Sequence, residues 1–105
     1  MESGAELQRT FKVLADSTRL RLLSALSEGE FAVQELTKAL QLPQPKVSRH
    51  LGIMKNAGVV TDRRDGSFVI YRLVDKPPTH WAASWNTAKL ALADDPQVAA
   101  DRTGL

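Results

Sequence analysis

The segment from Pro43 to Leu73 constrains the fold most, because the spacing of its apolar residues changes from a helical period to a strand period. Residues 44–57 carry an apolar stripe at helical spacing, formed by Val47, Leu51 and Met54. Pro45 suits the first turn of a helix, where its missing N–H would have had no partner, and Gly58 suits the helix end. This pattern predicts a helix over about 44–57.

Beyond Gly58 the apolar residues alternate, which predicts two strands. The second strand runs over 67–73, with one face formed by Val69, Tyr71 and Leu73. Asp65-Gly66 between the strands favours a tight hairpin, because both residues tolerate a positive φ. Arg63 and Arg64 directly precede this turn. The hairpin, over about 62–68, is therefore predicted to be a basic wing.

Further helices are predicted on both sides of this segment. Asp16 is a good N-cap for the helix that contains LRLLSAL, and Val33, Leu36 and Leu40 form another helical stripe. Amphipathic stripes also mark the first helix, with Leu7, Phe11 and Leu14, and the last helix, with Trp81, Trp85, Ala88 and Leu92. The predicted fold is mainly α with a small β-hairpin, a winged helix-turn-helix of order α-α-β-α-α-β-β-α. The domain is predicted to span 1–93 and to be followed by a flexible tail over 94–105.

Composition excludes several classes of function. The chain has 105 residues and no cysteine, which excludes disulfides, thiolate nucleophiles and cysteine-based metal sites. No apolar run approaches the roughly 18–20 residues that a membrane span needs. The N-terminus lacks the order of a signal peptide, so a cytoplasmic location is expected. Because the sequence shows no nucleophile–base pair, carboxylate dyad or phosphate loop, we expect neither an enzyme nor a cofactor.

Positive charge is concentrated in the predicted helix and wing. The segment from Gln41 to Arg72 carries +4, whereas the whole chain carries +2. A local basic excess of this kind is the electrostatic footprint of a nucleic-acid-binding protein. In a helix-turn-helix the second helix enters the major groove of DNA, with its N-terminal residues towards the base edges.

The residues predicted to face DNA are Gln44, Lys46, Ser48, Arg49 and His50 on the helix, and Arg63 and Arg64 on the wing. Gln can pair with adenine and Arg with guanine, whereas Lys and Ser more often bind phosphate. The alternatives are a solvated helix face, a packing role for His50, and ordinary solvated turn charges for the two wing arginines.

Four motifs within residues 11–73 match a known pattern: LADSTRLRLL, QPKVSRHL, KNAGVV and DGSFVIYRL. Together they resemble the ArsR family of bacterial winged-helix repressors. The resemblance implies a homodimer, formed through the first and last helices, that binds a palindromic operator in double-stranded DNA and releases it on binding an effector. It also implies that QPKVSRHL faces DNA and that RRDG belongs to the wing.

Two tryptophans on the last helix support a dimer independently. Trp81 and Trp85 would each bury about 150–250 Å² if covered, and the other helices of so short a chain already have a core of their own. The predicted dimer interface therefore combines the two amphipathic stripes, Leu7, Phe11 and Leu14 with Trp81, Trp85, Ala88 and Leu92. The alternative is that both tryptophans pack inside one chain.

The resemblance fails at the residues that sense metals. Family members that bind metals or arsenic through cysteine carry ELCVCDL where this chain has EFAVQEL, so Ala32 and Gln34 stand in the cysteine positions. Neither is a soft metal ligand. Other members bind zinc between the last helices through paired histidine and acidic residues, but here Pro78 and Ala83 stand where partners of His80 would be needed. We therefore expect no metal site.

The effector is then a small organic molecule, a protein partner or absent. The tail ADDPQVAADR resembles the join that precedes a methyltransferase domain in some proteins, which suggests an S-adenosyl compound or the DNA-binding part of a longer regulator. The alternative function is a protein-interaction module that has kept the winged-helix fold without binding DNA.

Overall fold

The computed structural model describes residues 2–105, and their side chains from residue 4 onward. The helices are α1 (Glu2–Leu14), α2 (Ser17–Leu26), α3 (Val33–Leu40), α4 (Gln44–Asn56), α5 (Trp81–Leu92) and α6 (Pro96–Gly104). The strands are β1 (Phe31–Ala32), β2 (Val60–Asp65) and β3 (Phe68–Leu73). The predicted winged helix-turn-helix is confirmed. Within the described residues no helix is both long and apolar enough to cross a membrane.

The centre of the fold is the apolar contact among α2, α3 and α4. The predicted inward stripe of α4 is confirmed, because Val47, Leu51 and Met54 have no exposed surface. They share one core cluster with fully buried leucines of the two preceding helices, Leu22, Leu23 and Leu36. Pro43 is the N-cap of α4 and Pro45 lies in its first turn, so the helix begins where the prolines predict.

The chain turns from α1 into α2 through Asp16 and Arg19. The Asp16 carboxylate accepts the backbone N–H of Arg19 at 3.0 Å, which is the predicted N-cap. The Arg19 guanidinium donates to the carbonyl oxygens of Lys12 and Val13 at the end of α1, at 2.8 and 2.9 Å. One arginine therefore satisfies the last carbonyls of α1 while its backbone belongs to the first turn of α2.

The wing is an antiparallel sheet in the order β1-β3-β2. Asp62 pairs with Tyr71, Arg64 with Val69, and Asp65 with Phe68. The two-residue turn is therefore Gly66-Ser67, one position later than the sequence suggests, and Gly66 adopts the φ of +62° that this turn requires. Arg63 and Arg64 consequently lie inside β2, one position further from the turn than the sequence suggests.

The two tryptophans of α5 are buried inside a single chain, whereas the sequence predicts them at a dimer interface. Trp81 and Trp85 are only 4% and 5% exposed in a single chain, and their rings lie 6.3 Å apart, nearly parallel. Both belong to the main core cluster, and α5 packs along α1. The alternative of packing inside one chain is the correct one for these two residues, because α5 folds back onto its own domain. The tryptophans therefore do not require a second copy of the chain.

The segment 94–105 also differs from the prediction of a flexible tail. Pro96 occupies the first turn of α6, where a proline is tolerated, and Asp95 caps that helix by accepting the N–H of Val98 at 3.0 Å. Helix α6 packs on α2 and α3. At Gly104 it comes so close to α3 that an added Cβ would lie 3.0 Å from the Cα of Ala39.

A partly buried ion pair holds α6 against α2. The Arg21 guanidinium donates twice to the Asp101 carboxylate, at 2.8 Å each, and once to the carbonyl of Leu40 at 2.6 Å. Asp101 also accepts the amide of Gln97 at 3.0 Å. Because these partners come from α2 and α3 as well as α6, the pair anchors the C-terminal helix to the helix-turn-helix.

We expect Asp101→Ala to lower the free energy of unfolding by about 1.5–3 kcal/mol, because it leaves the Arg21 guanidinium, whose side chain is only 17% exposed, without its charged partner. The control is Arg102→Ala, which removes an exposed ion pair to Glu28 from the same helix and should cost about 0–1 kcal/mol. Urea unfolding measures both losses. Equal losses would show that the Arg21–Asp101 pair does not anchor α6.

Candidate DNA-binding surface

The outer face of α4 carries four of the predicted DNA-facing residues. Gln44, Lys46 and Arg49 are exposed, and Ser48 is half-buried. The Gln44 side-chain amide donates to the Ser48 hydroxyl at 2.8 Å, which orients both groups at the start of the helix. Because the Ser48 oxygen accepts this bond, the hydroxyl hydrogen of Ser48 can still donate.

His50 does not belong to this face, which corrects its predicted role. Only 3% of the residue is exposed, because the side chain of His50 points from α4 towards the junction between α1 and α2. Its Nδ1 lies 3.2 Å from the Arg19 guanidinium and 3.9 Å from the Asp16 carboxylate, and its Nε2 lies 3.3 Å from the Arg49 guanidinium. His50 therefore packs behind Arg49 and connects it to α2 instead of reaching a base.

The environment of His50 disfavours its charged form. Burial is the largest effect that lowers its pKa, and the nearby charges of Arg49, Arg19 and Lys46 lower it further against the opposing effect of Asp16. Burial by itself would raise the pKa of Asp16. However, the backbone N–H of Arg19 and the positive charge of its guanidinium outweigh this effect and hold the pKa of Asp16 below its usual value. The junction therefore combines a neutral imidazole with an ionised carboxylate.

The two wing arginines have different environments. Successive residues of a strand point to opposite faces, so Arg63 and Arg64 lie on different sides of the hairpin. The Arg63 guanidinium donates to Glu30 at 2.8 Å and lies 4.0 Å from Asp65. Arg64 is exposed, and its register partner is Val69 on β3. Arg63 is therefore partly neutralised, whereas Arg64 forms no ion pair within the described part of the chain.

The same distinction applies to the other basic residues of the segment. Lys55 is paired with Asp62 at 2.8 Å, and Arg72 lies 3.3 Å from Asp75. Three basic residues between Gln41 and Arg72 have no acidic partner among residues 4–105. They are Lys46, Arg49 and Arg64. Between Gln41 and Arg72, the positive charge without an acidic partner among the described residues therefore lies on the outer face of α4 and on one face of the wing.

A cleft of about 370 Å³ separates the start of α4 from strand β3. Its polar lining consists of Gln34, Gln44, Ser48, Ser67 and Tyr71. Gln34, Ser67 and Tyr71 were not among the residues that the sequence singled out for binding. Gln34 drew attention only as a residue in a cysteine position, and no sequence pattern shows that α3 and β3 approach the same side of α4.

The segment EFAVQEL contains strand β1 and the first turn of α3. Ala32 ends β1 and is buried, and its backbone N–H donates to the Glu35 carboxylate at 2.8 Å. Gln34 is exposed on the first turn of α3. Within the residues that the structure describes, no group of three or more His, Cys, Asp or Glu side chains is arranged to hold a metal ion.

The compact helix pair, the basic outer face of α4 and the β2–β3 wing define a winged-helix protein of the DNA-binding type. Residues 16–62 match the family model described as "Bacterial regulatory protein, arsR family". The chain belongs to this family.

Known relatives agree with this membership. The chain is 52% identical over 69 residues to the arsenic resistance transcriptional regulator ArsR1 of Pseudomonas putida, a match that covers 65% of this chain and 54% of the relative. It is 40% identical to the HTH-type transcriptional regulator MJ1325 of Methanocaldococcus jannaschii, which covers 71% of this chain and 85% of the relative. The chain thus spans little more than half the length of the first of these relatives.

A solved structure shares the fold. The homodimeric winged helix-turn-helix DNA-binding domain Mb0332 from Mycobacterium bovis, a possible ArsR-family transcriptional regulator, superposes with a TM-score of 0.70 at 27% identity. The match covers 86% of this chain and 81% of that chain.

We expect acid to destabilise the fold through His50. Because its folded pKa lies below the unfolded value near 6.5, the unfolded chain takes up a proton first, and the free energy of unfolding falls as the pH drops below about 6.5. The loss is complete below the folded pKa. In His50→Gln this dependence should disappear, whereas His80→Gln, a change at the other, exposed histidine, should keep it. Denaturant unfolding from pH 7.5 to 5.5 measures the difference, and identical profiles for the two variants would contradict the assignment.

Proposed function

We propose that the chain is a transcriptional repressor that binds double-stranded DNA as a homodimer and recognises a palindromic operator. Helix α4 enters the major groove, and the wing contacts the adjacent minor groove or the backbone. The observation that carries this proposal is the position of Lys46, Arg49 and Arg64, whose charges no acidic side chain of the described residues neutralises. The proposal contains no catalytic step.

Each contact has a chemical role in this proposal. Gln44 and Arg49 read base edges, because an amide pairs with adenine and a guanidinium with guanine. Lys46 and Ser48 bind phosphate and set the register of the helix. Because a repressor acts on chromosomal DNA, we propose a cytoplasmic location.

The homodimer is supported by apolar surface on α1 and α5. Phe11 on α1 is 54% exposed and Leu90 on α5 is 80% exposed, and these two helices pack together. A shallow groove on α1 is lined mainly by apolar surface, including Leu7 and Phe11. Exposed apolar patches of this kind mark interfaces between proteins. The interface that we propose therefore centres on Leu7, Phe11 and Leu90 and excludes the buried tryptophans. A two-fold dimer would place its recognition helices about 34–36 Å apart, one turn of DNA.

We propose that the signal is not sensed through a thiolate–metal site. Arsenic appears in the name of the Pseudomonas putida relative. Arsenic and soft metals are bound by cysteine thiolates, and this chain contains no cysteine. A small organic effector, of which an S-adenosyl compound is one candidate, would not need such ligands.

We expect Arg49→Ala to remove specificity. Against the best duplex selected from a random library, the variant should lose about 1–3 kcal/mol, whereas its affinity for a scrambled duplex should change much less, because the guanidinium reads a base. Fluorescence anisotropy at fixed salt measures both affinities. Arg102→Ala, which removes the same charge from the exposed face of α6, is the control. A wild-type protein that binds selected and scrambled duplexes equally would overturn the proposed function.

We expect Phe11→Glu to convert the dimer into a monomer, because it introduces a charge at the centre of the proposed interface. The fold should survive, since Phe11 is exposed in the single chain. Phe68→Glu is the matched control, because Phe68 is a similarly exposed phenylalanine on the wing. Sedimentation equilibrium measures the mass of each variant. A Phe11→Glu protein that remains dimeric would rule out this interface.

A further inference from the structure

The cleft between α4 and β3 lies where a DNA strand must pass. If α4 enters the major groove and the wing reaches the adjacent minor groove, the backbone that separates the two grooves crosses the space between them. This inference therefore rests on the proposed function. The cleft occupies that space, since Gln44 and Ser48 line it from α4 and Ser67 and Tyr71 from the wing.

The chemistry of the lining fits a phosphodiester. Five neutral polar side chains face the cleft, and none of its lining residues is acidic. The amide of Gln34 is exposed and available to donate. The Ser48 hydroxyl can also donate its hydrogen, since the bond from Gln44 uses only the hydroxyl oxygen. Burial raises the pKa of the Tyr71 hydroxyl, so that this group keeps its proton. Val33 and Val69 supply apolar surface of the kind that packs against a sugar.

Positive charge stands beside the cleft rather than inside it. Directly opposite residues of an antiparallel pair point to the same face, so Arg64 shares the face of Val69, a residue of the cleft wall. Lys46 is exposed, but it lies two residues from Gln44 and from Ser48 and therefore points to another side of α4. A phosphate in the cleft would thus accept neutral hydrogen bonds beside the wing face that carries Arg64.

We propose that this cleft seats the DNA backbone strand between the two grooves, with Gln34, Ser48, Ser67 and Tyr71 as hydrogen-bond donors to its phosphate oxygens. Gln34 thereby makes α3 a third DNA-binding element beside α4 and the wing.

The salt dependence of DNA binding tests the proposed phosphate site in this cleft. Gln34→Ala and Ser67→Ala change exposed side chains and should each weaken binding to every duplex about 3- to 10-fold. The slope of log K against log salt should stay at the wild-type value, because neutral donors release no counterions. Arg64→Ala is the contrasting variant, and it should flatten the slope by about 0.9 per subunit. If Gln34→Ala binds DNA with unchanged affinity, or if its slope of log K against log salt is flattened, the proposed phosphate site is wrong.

Charge placed in the cleft gives a second test. Gln34→Glu should weaken binding about 10- to 100-fold, because a carboxylate would face a phosphate. Ala100→Glu adds the same charge to the exposed face of α6 and should change affinity by less than about twofold. Equal effects of the two variants would mean that only the net charge matters and that the cleft holds no phosphate.

A methylphosphonate scan locates the phosphate. Replacing single backbone phosphates of the selected duplex by neutral methylphosphonates should weaken wild-type binding most at the phosphate in the cleft, and this loss should be smaller in Gln34→Ala. Additive losses at every position would contradict a direct contact. If the wild-type protein shows no preference for any duplex, both the proposed function and the phosphate site are wrong. If it does prefer one duplex but the Gln34 variants bind like the wild type, only the phosphate site is wrong.

Discussion

The complete burial of one stripe of α4 determines how this protein can meet DNA. Val47, Leu51 and Met54 have no exposed surface, so rotation of the helix about its axis would expose apolar groups or bury polar ones. With that stripe held by α2 and α3, the opposite face of α4 must carry Lys46 and Arg49 outward. The surface that we propose to read DNA is therefore a consequence of core packing.

Polar contacts then connect the end of α1 with the recognition helix. Arg19 donates to the last carbonyls of α1, and its guanidinium also contacts His50 of α4. His50 in turn contacts Arg49, a residue of the outer face. The helix that carries the proposed dimer interface and the residue proposed to read a base are thus linked through Arg19 and His50. A neutral imidazole accepts at one ring nitrogen only, so one of its two arginine contacts is a hydrogen bond and the other is a packing contact.

Several parts of this arrangement were predictable from local pattern. Helical spacing identified the inward stripe of α4, the prolines marked its start, and Asp16 marked the start of α2. Periodicity could not identify His50 as buried, because its partners Asp16 and Arg19 lie 34 and 31 positions earlier in the chain. The helix at 96–104 has local start signals, an N-cap at Asp95 and a proline in its first turn, but its attachment to the domain depends on Arg21, which lies 80 positions before Asp101.

By itself, the sequence determined the helix-turn-helix, the basic wing and the absence of thiolates, since each depends on residue type or on short-range spacing. Only the tertiary structure decided which charges remain available, because Glu30 neutralises Arg63 while Arg64 points to the other face of the same hairpin. It also decided that the tryptophans belong to one chain, and that α3, α4 and β3 enclose a common cleft. These features depend on contacts between residues distant in sequence, whose geometry is set by the packing of the whole core.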